Sequence, residues 1–335
     1  MAYDLDEATF RRVTADALAR FSELHGRLVA LAVGTADPLA DVARTVERQV
    51  FEESFGNDAA TMAAEYRQYE DDSLFFVVLD RRTGLPAGAA RVIDGGGKTL
   101  HDAPACIGVD LDTILSAHGM RTGRIWDYAT MAVLPGYRGR SSLVVSTLLY
   151  RTFLKAGRRA DVCHMVAMLD RRAHRNLTLV GVPFVPIAGS EPFEYLGSPS
   201  TRALYVPFGD LEPSIGHQGN QLRRFGASFN GEIRARGLRR LVTRRVAARV
   251  STRIASGKGV DEWIELPGLE RRRSNRRRSS GLDRRRAAGT SPVGIERRRT
   301  VMGADPGQAH RRRAYGEADR RVPIPVRRGR LFRRS

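Results

Sequence analysis

The 335-residue chain has few cysteines and no long uninterrupted apolar run. Its two cysteines, Cys106 and Cys163, are too few and too far apart for a disulfide framework or a site of paired thiolate ligands. No apolar stretch reaches the roughly 20 residues of a membrane-spanning helix. The acidic start, Met1–Glu7, lacks the apolar core of a secretory signal. We therefore expect a cytoplasmic protein with no metal.

Acidic residues become scarce beyond residue 215. Residues 1–215 carry 23 Lys and Arg against 27 Asp and Glu, a net charge of −4, whereas residues 216–335 carry 33 against 10, a net charge of +23. The high isoelectric point therefore belongs to the C-terminal part alone. The first part has the charge of an ordinary globular domain, so the overall charge does not make this chain a nucleic-acid binder.

The C-terminal part divides into two segments. Residues 214–270 are basic and partly amphipathic, which predicts a partly helical segment. Residues 271–335 contain five Arg-Arg-Arg triplets at unequal spacings and few aromatics, so we expect a disordered tail. Such a tail could bind nucleic acid or an anionic membrane, although its composition favours a solvated segment over either.

Residues 1–213 combine helical and β-type patterns, which predicts a mixed α/β domain. Apolar spacing predicts helices first, then a β-hairpin, then a strand, a loop, a helix and further strands. The expected helices cover 5–32, 38–54, 58–69 and 143–154, and the expected strands cover 74–79, 87–93, 125–133, 161–168 and 202–207.

The segment after the strand at 125–133 has the pattern of an anion site. It reads Val133-Leu134-Pro135-Gly136-Tyr137-Arg138-Gly139-Arg140-Ser141-Ser142 and leads into a helix. Helix N-termini present free N–H groups and partial positive charge, and arginines add charge-assisted contacts to phosphate. The other interpretation is an ordinary turn with solvated arginines.

This loop resembles the pyrophosphate-binding loop of the GNAT superfamily of acyl-CoA N-acyltransferases. Arg138 fits the first position of the family pattern, whereas Ser141 and Leu143 stand where that pattern has small residues. The resemblance implies a GNAT-like central mixed sheet with flanking helices, whose fourth and fifth strands splay apart. It also implies an acyl-CoA co-substrate and a small-molecule or peptide amine acceptor. The backbone of Met131, Ala132 and Val133 would hold the pantetheine, and Arg138, Gly139, Arg140, Ser141 and Ser142 would hold the pyrophosphate.

Four side chains are considered for the chemistry. Asp127 is a possible base, and alternation along the strand would place it on one face with Met131. Its carboxylate could instead be paired with Arg91. His164, in the next strand, is either a base or a hydrogen-bonded core residue. The tyrosine that usually protonates the thiolate is replaced by Leu177, so Tyr128, Tyr137 or water would take that role.

The chain also resembles the acyl-homoserine-lactone synthases, which share the GNAT core. The matching features are Arg48 with Phe51, the acidic stretch 70–72, Gly88 with Arg91, and Trp126 with Asp127. The Ser-Arg-Phe core of those synthases is absent here. The alternatives to a CoA-dependent enzyme are thus a related long-chain N-acyltransferase fed by acyl carrier protein, or a degenerate GNAT that binds nucleic acid through its tail.

Overall fold

The computed structural model describes residues 1–138, 142–228, 238–256 and 261–264. Within them, nine strands form one mixed sheet with helices on both faces. The strands are β1 Leu28–Gly34, β2 Ser73–Asp80, β3 Leu85–Asp94, β4 Arg124–Val133, β5 Val162–Asp170, β6 Val185–Pro186, β7 Phe193–Tyr195, β8 Ser198–Pro207 and β9 Asp261–Ile264. The helices are α1 Glu7–Arg20, α2 Leu39–Phe55, α3 Ala59–Tyr66, α4 Gly97–Ile107, α5 Leu111–Ala117, α6 Ser142–Arg159, α7 Arg171–Val180, α8 Phe208–Ser228 and α9 Leu238–Ser256.

The strand order along the sheet is β6-β8-β5-β4-β3-β2-β1-β9, with β7 paired to β8. Strands β1 to β4 pair antiparallel in succession, β4 and β5 run parallel, and β5 is antiparallel to β8. The connection between β4 and β5 passes through α6, as a parallel pair requires. The predicted mixed α/β class, with a central mixed sheet and flanking helices, is confirmed.

The prediction of one helix over residues 5–32 is wrong in its second half. Helix α1 ends at Arg20, and β1 begins at Leu28. Residues 28–33 are an unbroken apolar run, which has no periodicity that separates a helix from a strand buried on both faces. Pairing with β2 on one side and β9 on the other decides in favour of the strand.

Two apolar layers cover the two faces of the sheet. One layer, under α6 and α8, contains Trp126, Tyr128, Phe153 and Leu204, and the other, under α1 and α2, contains Leu31 and other buried side chains. None of the described helices is long and apolar enough to cross a membrane.

Part of the segment predicted as a basic extension packs against the sheet. The boundary predicted at residue 213 falls inside α8, and Val250 and Ile254 of α9 are buried in the same core as β4. Strand β9 adds to the edge of β1. The predicted disordered tail, 271–335, lies outside the described residues.

Candidate active site

A gap opens between β4 and β5 at the middle of the sheet. The parallel ladder pairs Asp127 with Val166 and ends there, while β4 continues to Val133 and β5 continues to Asp170. Since β4 stays paired with β3 and β5 with β8, the two strands diverge. In the described residues, β4 beyond Asp127 has no strand partner on this side, so its backbone can pair with an extended ligand. This is the splay that the resemblance to the GNAT superfamily implied.

A β-bulge at Ala129 marks the point where the strands separate. The register between β3 and β4 leaves Ala129 as the extra residue. Before the bulge, Tyr128 faces the core under α6 and Asp127 faces α4; after it, Met131 packs on the α6 side and Thr130 reaches α2. The predicted alternation that grouped Asp127 with Met131 is therefore wrong, because a bulge shifts the phase of all later side chains.

Asp127 is buried completely beneath α4. Its Oδ2 accepts a hydrogen bond from the Thr99 backbone N–H at 2.8 Å, and its Oδ1 accepts from the Thr99 hydroxyl at 2.7 Å. Burial raises the pKa of Asp127 to about 7, although both hydrogen bonds act in the opposite direction. A carboxyl with this pKa changes charge near neutral pH, which suits a general base. Its catalytic role stays a prediction.

Arg91 is not the partner of Asp127. It lies fully buried on β3 and pairs with Glu47 of α2, its Nη2 donating to Glu47 Oε2 at 2.8 Å. Glu47 also accepts a hydrogen bond from the Thr130 hydroxyl, just beyond the bulge. This network was not predicted; its sequence clue is an acidic residue within the apolar face of α2.

Tyr128 is the first β4 residue beyond the last pair with β5. Its side chain is only 3% exposed, and its hydroxyl has no hydrogen-bond partner among the described residues. The ring stacks on Tyr150 of α6 at 6.0 Å between centroids and meets Phe153 edge-on at 4.9 Å. Burial raises the pKa of Tyr128 well above its ordinary value, so the phenol stays protonated at neutral pH.

His164 lies at the closed end of the β4–β5 ladder, away from the gap. Its Nδ1 is 3.1 Å from the Tyr205 hydroxyl, and its Nε2 is 2.9 Å from the Thr122 carbonyl oxygen. Both ring nitrogens thus have partners within the fold. This geometry matches the hydrogen-bonded interpretation of His164, although the residue is only half-buried and does not belong to the core.

The loop after β4 leads directly to the start of α6. Arg138 forms a two-pronged ion pair with Glu53 at the end of α2, at 2.7 and 2.6 Å. Three of the other predicted loop residues, Gly139, Arg140 and Ser141, lie outside the described residues, and Ser142 is the first residue of α6. The phosphate-binding role of this loop stays a prediction.

Two neighbouring positions limit the choice of proton donor. Leu177 of α7, where the resemblance would have a tyrosine, is buried in the core. The Tyr137 hydroxyl donates to Asp80 at 3.1 Å and lies 3.0 Å from the Thr83 hydroxyl, so it is held at the β2–β3 turn. Of the two predicted tyrosine donors, Tyr128 is thus the one whose hydroxyl has no hydrogen-bond partner among the described residues. Among the described residues, no cluster of His, Cys, Asp and Glu could hold a metal ion.

No family model matches this chain, and no curated protein matches it. Among solved structures, it is similar to FeeM, an N-acyl amino acid synthase from uncultured soil microbes, with 14% identity, a TM-score of 0.43, and 57% of this chain and 96% of that one covered. The CoA-dependent acyl-homoserine lactone synthase BjaI, solved with SAM and isopentyl-CoA, shows 13% identity and a TM-score of 0.37 over 73% of this chain and 98% of that one. The NatC complex bound to Gag peptide and CoA shows 12% identity and a TM-score of 0.33 over 48% of this chain and 87% of that one.

Proposed function

We propose that this chain is an N-acyltransferase that transfers an acyl group from an acyl-CoA thioester to an amine. The observation that carries the proposal is the gap between β4 and β5. Within the described residues the gap leaves the backbone edge of β4 unpaired, and the next described element after β4 and its short 3-10 turn is α6, which begins at Ser142. An extended pantetheine arm can pair with that edge, while N–H groups at the helix start suit a pyrophosphate.

The donor would lie along the second half of β4. The backbone of Met131, Ala132 and Val133 would pair with the pantetheine amides, and residues 138–142 would bind the pyrophosphate. Arg138 is pre-positioned at this end of β4 but is bound to Glu53. Phosphate binding by Arg138 therefore requires the exchange of one anionic partner for another.

The reaction needs one proton acceptor and one proton donor. The amine nitrogen attacks the thioester carbonyl carbon, the C–S bond breaks, and the acceptor takes the amine proton. Tyr128 would give its proton to the leaving thiolate as the C–S bond breaks. Because the ordinary pKa of a thiol, about 8.5, lies below that of a buried phenol, this transfer is uphill, so the tyrosinate must regain a proton, which the protonated acceptor would supply through water. Asp127 would take the amine proton through a water molecule, because both its oxygens are engaged by Thr99.

Calorimetric titration of the full chain with CoA, acetyl-CoA and a long-chain acyl-CoA tests this proposal. We expect saturable binding that Arg138→Ala/Arg140→Ala abolishes. Arg121→Ala is the matched control, since Arg121 pairs with Asp112 on the surface, just before the start of β4 and thus at the opposite end of the strand from the loop. Release of free thiol in the presence of a panel of amines then reports turnover. A folded chain that binds none of these thioesters would refute a CoA-dependent enzyme and leave acyl carrier protein as the donor to test.

A further inference from the structure

A cavity of about 280 Å³ lies at the C-terminal end of β5, where that strand passes into α7. Its walls come from β5, α7, β8 and the segment before β7. The lining residues are Leu169, Arg171, His174, Pro192, Ser200 and Arg202. Three of these six carry basic side chains, and none is acidic.

The cavity opens on the same face of the sheet as Tyr128. Leu169 belongs to the apolar layer that also contains Tyr128, and Arg202 is its register partner on β8. Leu169 lies three residues beyond Val166, the last β5 residue paired with β4, which is about 10 Å along the strand. The cavity is therefore next to the diverging part of β5 and on the α6 side.

The positive charge of the cavity is poorly neutralised. In the described part of the chain, Arg171 has no hydrogen bond or ion pair, and Arg202 has a 3.4 Å contact with Glu191, whose side chain is 87% exposed. Asp170 does not line the cavity, and its Oδ1 accepts hydrogen bonds from the Arg172 and Ala173 N–H groups that begin α7. Such an arrangement attracts an anion.

The remaining polar groups complete an oxyanion site. Ser200 provides a hydroxyl that can donate. His174 packs edge-on against Phe184, and burial together with the charge of Arg202 lowers its pKa. Its neutral ring can then donate one N–H to a ligand without adding charge. Guanidinium groups match the planar geometry of carboxylate and phosphate oxygens.

We infer that this cavity binds an oxyanion of a substrate through Arg171, Arg202, His174 and Ser200. The inference rests on the proposed function, which places the thioester in the adjoining gap. The oxyanion has two possible sources with the same chemistry: the 3′-phosphate of CoA, or the carboxylate of an amino-acid acceptor.

The test compares substrates that differ only in the anionic group. CoA is titrated against 3′-dephospho-CoA, and turnover of an amino acid is compared with that of its amide. If the source is the phosphate, the full chain binds CoA at least tenfold more tightly, and Arg171→Gln or Arg202→Gln removes the difference. If it is the carboxylate, the same variants raise KM for the amino acid at least tenfold and leave KM for the amide unchanged.

The matched control is Arg175→Gln, since Arg175 is an exposed arginine of α7 that does not line the cavity. The inference is overturned if Arg171→Gln and Arg202→Gln bind thioester and distinguish CoA from 3′-dephospho-CoA, and the amino acid from its amide, as the parent chain does. The proposed function would still stand in that case.

A third measurement does not depend on turnover. Inorganic phosphate should shift the His174 ring resonances in the full chain but not in Arg202→Gln. If no thioester binds, the proposed function fails, and the phosphate response alone decides whether the cavity is an anion site. Absence of that response in the same protein would overturn this inference as well.

Discussion

Replacing Tyr128 with phenylalanine should stabilise the fold and slow acyl transfer. The hydroxyl is buried without a hydrogen-bond partner among the described residues, while the ring packs against Tyr150 and Phe153. A buried, unsatisfied hydroxyl costs roughly 1–3 kcal/mol. Phenylalanine keeps the ring contacts and removes that cost, so the free energy of unfolding should rise by about 1 kcal/mol.

The catalytic effect should have the opposite sign. If the phenol protonates the leaving thiolate, its loss should lower kcat by roughly 10²- to 10⁴-fold, which is the usual contribution of a positioned acid. Affinity for CoA should change little, because thiolate protonation occurs after binding. Urea unfolding, calorimetric titration and thiol release measure the three quantities on the same protein.

Tyr205→Phe is the matched control for this substitution. The Tyr205 hydroxyl lies 3.1 Å from His164 Nδ1, at the closed end of the strand pair. Its removal breaks a hydrogen bond that is present, so we expect a loss of about 1 kcal/mol and a nearly unchanged kcat. The argument for Tyr128 is refuted if Tyr128→Phe is destabilised like the control, or if its kcat stays within twofold of the parent chain.

Three further substitutions test the surroundings of the gap. Arg91→Met leaves Glu47 buried without its partner, so urea unfolding should show a loss of about 3–5 kcal/mol, and a loss under 1 kcal/mol would contradict the buried pair. The pKa of Asp127 is raised to about 7 in the fold, so its contribution to stability is present at pH 4 and is lost as the pH rises to 7. At about 1.4 kcal/mol per pH unit, the loss is up to about 4 kcal/mol. Asp127→Asn should therefore flatten this part of the pH profile of stability measured by urea unfolding. Glu53→Gln frees Arg138 from its ion pair, so CoA should bind more tightly in calorimetry; weaker binding would refute the competition between Glu53 and phosphate.

The order of elements could be predicted from the sequence because each carries a local pattern. The hairpin of β2 and β3, the strand β4 and the helix after the loop were all expected from apolar runs and turn residues. Strand β1 was not, because its six consecutive apolar residues fit a buried helix as well as a buried strand. Only the pairing with β2 and β9, which is a long-range property, distinguishes the two.

The site was harder to predict because it depends on side-chain direction. A single extra residue, Ala129, reverses the faces of the residues that follow, and no local pattern marks a bulge of this kind. The partner of Asp127 likewise depends on where α4 begins, since Thr99 lies in its first turn. The segment over 99–123, which has no clear pattern in the sequence, supplies that partner.

Two features that are weak in the sequence have a clear physical purpose in the fold. A side chain at Gly88 would meet the Ala132 carbonyl oxygen at 2.7 Å and the Val145 side chain at 2.8 Å, so glycine there allows β4 and α6 to approach β3 closely. Arg91, three residues later, holds Glu47, which in turn accepts the Thr130 hydroxyl beyond the bulge. The glycine thus leaves room for α6 to pack closely over β3 and β4, and the arginine anchors β4 just beyond the bulge through Glu47. Both contacts act on β4, the strand that borders the gap.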